Sequence, residues 1–183
     1  MPRPSPVSES AACVALSMKP QQAPPKIADG ERSIGVVGLG YVGLPLMIAY
    51  ARAGHRVIGF DIDQSKITEL LAGRSYIKHI PSPAIAEAVA GKRFDATTDF
   101  ARVAETSAII ICVPTPLTEH LAPDLSFVQS TLDSVCPHLQ PGHTVSLEST
   151  TYPGTTREEV VPRVLARGLQ PGKTVFVVYS PER

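Results

Sequence analysis

The chain has 183 residues, and its 17 basic and 17 acidic side chains leave a formal charge of zero. Hydrophobic residues at 43% and charged residues at 19% fit an ordinary globular core and argue against a mainly disordered chain. Electrical neutrality speaks against a nucleic-acid partner, and no apolar run approaches the ~20 residues needed to span a bilayer. Cys13, Cys112 and Cys136 are too few and too scattered for a disulfide framework or a zinc cluster, which suits a reducing cytoplasm. The five histidines share no metal-ligand spacing, so no metal site is expected.

Residues 1–30 hold six of the 18 prolines, interleaved with serine and glutamine. Such a stretch buries too little apolar surface to offset its ordering entropy, so a flexible tail is expected there. Ala11–Met18 is short for a signal-peptide core and lies among prolines, which favours the tail over an export signal. The globular part is expected over 31–183.

A strand-then-helix pattern starts at Ser33. Ile34–Val37 reads as a strand, and Val42–Ala53 as a helix with Pro45 in its first turn, where a missing N–H costs little. Arg56–Asp61 is a second strand and Gln64–Leu71 a helix ended by Gly73. Ser82–Ala90 reads as a helix, Phe94–Thr97 and Ser107–Val113 as strands, and Ser126–Cys136 as a helix capped by Asp124 or Ser126. Thr144–Leu147 is a fifth strand. Thr155-x-x-Glu158 has the form of a capping box opening a helix to Arg167, which Pro162 should kink or shorten. Thr174–Tyr179 closes the pattern. This alternation predicts an α/β fold, a doubly wound parallel sheet covered on both faces.

Gly38-Leu39-Gly40-Tyr41-Val42-Gly43 follows the first strand and opens the first helix, the context in which G-x-G-x-x-G binds a dinucleotide. Gly38 permits the tight turn, Gly40 lets backbone approach a pyrophosphate, and Gly43 lets helix and strand pack closely. Asp61 ends the second strand near the ~20-residue spacing of the ribose-binding acid. Its charge would repel a 2′-phosphate, which predicts NAD over NADP. Asp63 is the rival, with capping of the next helix as its expected role, and Lys66 in the first turn of that helix is expected either to reach the same ribose or to be a solvated surface lysine. Three polar segments also fall beyond strand ends, where such sheets bind ligands. They are Val113–Pro116, Glu148–Thr151 and Ser180–Arg183, with Glu182 the preferred candidate for proton transfer.

The run Ile34–Pro45 resembles the opening of the UDP-sugar 6-dehydrogenases. The resemblance continues through Phe60–Asp63, Cys112–Leu117, Pro123–Ser126, Glu148–Thr156 and Tyr179–Arg183. Within that family, Tyr76-Ile77-Lys78-His79-Ile80-Pro81 and Ser149-Thr150-Thr151-Tyr152-Pro153-Gly154 look most like UDP-N-acetylglucosamine 6-dehydrogenase. The resemblance implies oxidation of a sugar C6 alcohol to a carboxylate with two NAD⁺, through a cysteine thioester that water then releases. It implies contacts to NAD from Gly38, Gly40, Tyr41, Val42, Gly43, Asp61, Lys66, Val113, Pro114, Thr115 and Thr150. Thr150 would also help position the catalytic water, and Glu182 would act as general acid/base.

In the resembling family the nucleophilic cysteine, a lysine and most UDP-sugar contacts lie beyond Ser-Pro-Glu-Arg. Cys112 ends a buried strand and Cys136 a helix, and neither is expected at the nicotinamide crevice. The expectation is therefore a NAD-binding domain that precedes a central helix and a sugar-binding domain, inactive alone and homo-oligomeric in its full-length form. The alternatives are a stand-alone NAD-binding regulatory module, or another Rossmann dehydrogenase acting on a hydroxyacid or hydroxyacyl-CoA.

Overall fold

A computed structural model describes residues 33–119 and 122–180. The expected tail over 1–30, with Cys13, lies outside the described residues, and so does Glu182. Six strands form one parallel sheet in the order β3-β2-β1-β4-β5-β6. They are β1 Ser33–Val37, β2 Arg56–Phe60, β3 Phe94–Thr97, β4 Ala108–Ile111, β5 Thr144–Leu147 and β6 Phe176–Tyr179. The chain runs outward from β1 to β3, returns to β4 beside β1, and runs outward again, which is the doubly wound dinucleotide-binding order. β1 pairs with β2 from Ser33↔Arg56 to Val37↔Phe60, and with β4 from Ile34↔Ala108 to Val37↔Ile111.

Successive strand residues point to opposite faces, and the apolar runs supply both. Val37, Ile58, Phe60, Ile109, Ile111, Val145 and Leu147 build one core, against which α4 (Ser126–Val135) packs Val128, Leu132 and Val135. α5 (Val161–Ala166) adds Val164 to the same face. Val36, Val57 and Ala96 build the other core, with α1 (Gly43–Arg52), α2 (Gln64–Leu71) and α3 (Ser82–Ala90) lying over it. Asp63 caps α2, accepting from the Ser65 N–H at 2.9 Å, as expected of it.

Four local readings change. Thr155 does not open a capping box: its backbone is already helical, and its hydroxyl donates to the Tyr152 carbonyl at 2.8 Å. Glu158 instead accepts from the Tyr152 hydroxyl at 3.1 Å. The helix expected to run on to Arg167 is a π-type turn over Thr156–Val160 followed by α5, with Pro162 in the first turn of α5 where its missing N–H is harmless. Leu125 holds the N-cap position of α4, but the Asp124 carboxylate accepts from the Ser126 N–H at 2.9 Å. A 3₁₀ turn over Phe100–Glu105, opened by Asp99, has no counterpart in the sequence reading.

Candidate functional site

β1 and β4 are neighbours whose outgoing connections leave in opposite directions, so a crevice opens beyond their C-terminal ends. It is a cleft of about 600 Å³. Gly38, Gly40, Tyr41 and Val42 line it from the turn after β1, Asp61, Ile62 and Lys66 from the end of β2 and from α2. Cys112 to Thr115 line it from the loop after β4, and Glu148 to Thr150 from the loop after β5.

The three glycines have separate jobs. Gly38 has φ +88°, and a Cβ there would lie 2.8 Å from the Cys112 carbonyl oxygen. A Cβ on Gly43 would stand 2.0 Å from the Gly38 carbonyl oxygen, so Gly43 packs beneath the turn and does not itself line the cleft. A Cβ on Gly40 would meet nothing within 4 Å, so the loop leaves open ground where a pyrophosphate would lie. Within α1 the Leu44 N–H already donates to the Gly40 carbonyl at 3.1 Å and Pro45 has no N–H, so the backbone of the turn itself, with the positive dipole end of α1 behind it, is what could cradle two phosphates.

Asp61 is 6% exposed and already engaged. Its Oδ2 accepts from the Leu39 N–H and from Lys66 Nζ, each at 3.0 Å, and its Oδ1 accepts from the Asp63 N–H at 3.0 Å. A carboxylate has about four acceptor positions, so one remains for a ribose hydroxyl. Lys66 is one-third exposed and able to swing aside, which would release a second. Asp61 thus ties β2 to the glycine turn and keeps acceptor capacity at the cleft.

The loops after β4 and β5 are joined by two side chains. Ser149 Oγ donates to the Val113 carbonyl at 2.6 Å, and Thr115 Oγ1 donates to the Thr150 carbonyl at 2.7 Å. Ser146 Oγ donates to Glu148 Oε1 at 2.6 Å, orienting that carboxylate at the cleft. Gly38, Gly40, Tyr41, Val42, Asp61, Lys66, Val113, Pro114, Thr115 and Thr150, expected to contact NAD, all line this cleft with Gly43 just beneath it, whereas Pro116, Thr151 and Ser180 of the three polar segments do not line it.

Cys112 corrects an expectation. It is the first residue past β4, one of the two strands flanking the crevice, so it lines the cleft. Cys136 is away from it and buried, and burial pushes its thiol up to about 11. The sequence reading also missed Phe100, Phe127, Ser130, Thr131 and Ser134. Ser130 and Ser134 are one helical turn apart in α4, and that small polar stripe was the available signal. Among the described residues there is no group of three metal-ligating side chains, and no helix is long and apolar enough to cross a membrane.

This geometry agrees with what the chain is similar to. The family model described as "UDP-glucose/GDP-mannose dehydrogenase family, NAD binding domain" matches residues 32–183. The chain is 40% identical over 155 residues to Protein CapL of Staphylococcus aureus, covering 84% of this chain and 35% of that protein. It is 38% identical over 155 residues to the UDP-N-acetyl-D-glucosamine 6-dehydrogenase of Pseudomonas aeruginosa, covering 84% of this chain and 36% of that enzyme. Among solved structures, the GDP-mannose dehydrogenase ternary complex from Pseudomonas aeruginosa superposes with a TM-score of 0.77 at 29% identity, covering 82% of this chain and 36% of that one. The UDP-N-acetyl-mannosamine dehydrogenase Cap5O from Staphylococcus aureus does so with a TM-score of 0.75 at 33% identity, covering 82% and 37%. The chain therefore spans little more than a third of the length of these relatives. With the glycine turn, the Asp61 tie and the crevice in place, the chain belongs to the UDP-glucose/GDP-mannose dehydrogenase family and comprises its NAD-binding domain.

Proposed function

We propose that this chain is the NAD-binding part of a UDP-sugar 6-dehydrogenase that oxidises the C6 alcohol to a carboxylate with two NAD⁺ per turnover. The proposed sugar is UDP-N-acetylglucosamine, whose uronic acid would serve surface polysaccharide synthesis. Two relatives bearing that enzyme's name are 38% and 37% identical over 155 residues. The observation that carries the reading is the convergence of the glycine turn, Asp61 and the two tied loops on one crevice.

NAD, when bound, supplies the electron acceptor for both oxidations. The backbone N–H groups of Gly40, Tyr41 and Val42 hold the pyrophosphate, with Gly38 and Gly43 shaping the turn. Asp61, with Lys66 beside it, accepts from the adenosine ribose and disfavours a 2′-phosphate. Val113, Pro114 and Thr115 form the wall against the nicotinamide half, and Ser149 fixes that wall by holding the Val113 carbonyl. Thr150 helps position a water, and Glu182 serves as general acid/base.

The sugar contacts, the nucleophilic cysteine and a central helix are assigned to the remaining length that the relatives have. The full-length form is proposed as a cytoplasmic homo-oligomer. The 183-residue chain should bind NAD⁺ by calorimetry yet form no NADH with UDP-N-acetylglucosamine or UDP-glucose. Missing sugar contacts forfeit positioning that accounts for ~7–11 kcal/mol of a barrier. Turnover within roughly tenfold of a full-length protein carrying this domain would overturn the assignment.

A further inference from the structure

Between α2 and α3 the chain makes a short strap over residues 74–81 that passes beside the glycine turn. Ile77 and Ile80 anchor it in the core under α1, and the Ile80 N–H donates to the Ile77 carbonyl at 3.0 Å. The Ser75 N–H donates to Ser82 Oγ at 3.1 Å, pinning the strap to the start of α3. From this base two side chains reach the turn. The Tyr76 hydroxyl donates to the Leu39 carbonyl, and the His79 ring stacks on Tyr41 with centroids 5.5 Å apart and planes 22° apart. The two contacts bracket Gly40.

We propose that Tyr76 is a positioning residue for the dinucleotide pyrophosphate, holding the Leu39 carbonyl so that the Gly40 N–H is aimed into the cleft. The inference rests on the glycine turn being the pyrophosphate cradle. Its physical basis is the planar trans peptide, in which the carbonyl of one residue and the N–H of the next point in opposite directions. A hydroxyl that fixes the Leu39 oxygen on the strap side fixes the Gly40 N–H on the other side, where Gly40 lines the cleft.

Nothing else in the turn can set this plane as well. Gly40 has no side chain to restrain it, and open ground surrounds its Cβ position. The Leu39 N–H is spent on Asp61, and the Leu39 side chain is fully buried. With Tyr76 on its carbonyl, every group of Leu39 is held. Burial and the nearby Asp61 and Asp63 carboxylates push the Tyr76 phenol well above its ordinary value, so it stays a donor throughout the working range. A tyrosine serving only to fill the core would need its ring and not its hydroxyl.

The test is Tyr76→Phe in the 183-residue chain, titrated with NAD⁺ and separately with adenosine, which lacks the pyrophosphate. NAD⁺ affinity should fall about three- to tenfold, the worth of one oriented hydrogen bond, with adenosine affinity unchanged; the melting temperature should drop by a few degrees, since the buried Leu39 carbonyl loses its donor, while the variant stays folded. Unchanged NAD⁺ affinity, an equal loss for both ligands, or a variant that no longer folds would each overturn the proposal and leave Tyr76 a packing residue. Gly40→Val, which fills the open ground on the turn, is the reference and should abolish NAD⁺ binding. If Gly40→Val bound NAD⁺ normally, the cradle reading itself would fall, whatever Tyr76→Phe did.

Discussion

The Asp61 carboxylate accepts a hydrogen bond from the backbone N–H of Leu39 at 3.0 Å, across 22 residues of sequence. The acid that would select the cofactor therefore also holds the turn that would cradle it. A side chain in this position cannot be exchanged for cofactor preference without loosening the glycine turn, and the two effects should appear together.

Asp61→Ala is accordingly expected to lower NAD⁺ affinity by at least tenfold and to narrow the gap between NAD⁺ and NADP⁺. It should also cost about 1–3 kcal/mol of stability, because the Leu39 and Asp63 N–H groups lose their acceptor. Lys66→Met should cost under about 1 kcal/mol, since that ammonium is partly solvated. Calorimetric titration with both cofactors, together with urea unfolding, checks the pair. An Asp61→Ala protein with unchanged stability would show that the turn does not depend on this acid.

Gly38→Ala and Gly43→Ala separate backbone conformation from close approach. At Gly38 an alanine meets both a left-handed φ of +88° and the Cys112 carbonyl oxygen at 2.8 Å. A loss of about 1–3 kcal/mol is expected. At Gly43 the clash is with the Gly38 carbonyl at 2.0 Å, and backbone cannot rotate away as a side chain would. Gly43→Ala should therefore push α1 off the turn and lose at least as much stability, with NAD⁺ affinity falling in parallel. Denaturant midpoints and NAD⁺ titration read both effects.

These residues also mark how far the sequence could be read. Six strands and the doubly wound order were legible because Val36-Val37 and Val57-Ile58 must each feed two cores, leaving little but a sheet covered on both faces. The turn was legible because glycine at three set spacings answers three separate steric demands. The wall contributed by Phe100 and α4 was not, since it depends on how far a helix leans over the sheet, which local pattern does not encode. Cys112 was misplaced because an apolar run signals burial without saying where the strand stops. The contact of Tyr76 with Leu39 spans 37 residues and follows from tertiary packing alone.

The ties between the loops after β4 and β5 should act as a unit. Ser149 is 6% exposed, so Ser149→Ala, which takes the Oγ donor away from the Val113 carbonyl, should cost about 1–2 kcal/mol. Thr115→Val removes a more solvated bond and should cost under about 1 kcal/mol. Because both bonds close the same pair of loops, the double variant should depart from additivity by about 0.5 kcal/mol or more. Strict additivity in a double-mutant cycle would mean that the loops are held independently.

His143 offers a pH signature at the opposite edge of the sheet, where it precedes β5. It is 5% exposed, its Nδ1 accepts from the Gln140 N–H at 3.2 Å, and burial lowers its pKa from the ordinary 6.5, against a smaller opposing pull from a Thr106 backbone hydrogen bond. The folded state thus binds this proton less readily than the unfolded chain. Well above pH 6.5 both states hold the neutral ring and the group exerts no pH effect; as pH falls through 6.5 the unfolded chain gains a proton that the folded protein resists. Stability should therefore fall as pH drops from 7 towards 5, with His143 contributing a slope of at most about 1.4 kcal/mol per pH unit. His143→Asn, whose amide oxygen can accept from Gln140, should flatten that slope and leave NAD⁺ affinity at pH 7.5 unchanged, because the cleft lies at the other ends of the strands. Urea unfolding of both proteins at pH 5, 6 and 7 is the measurement. Parallel stability curves would mean that the His143 ring is protonated as easily inside the fold as in water.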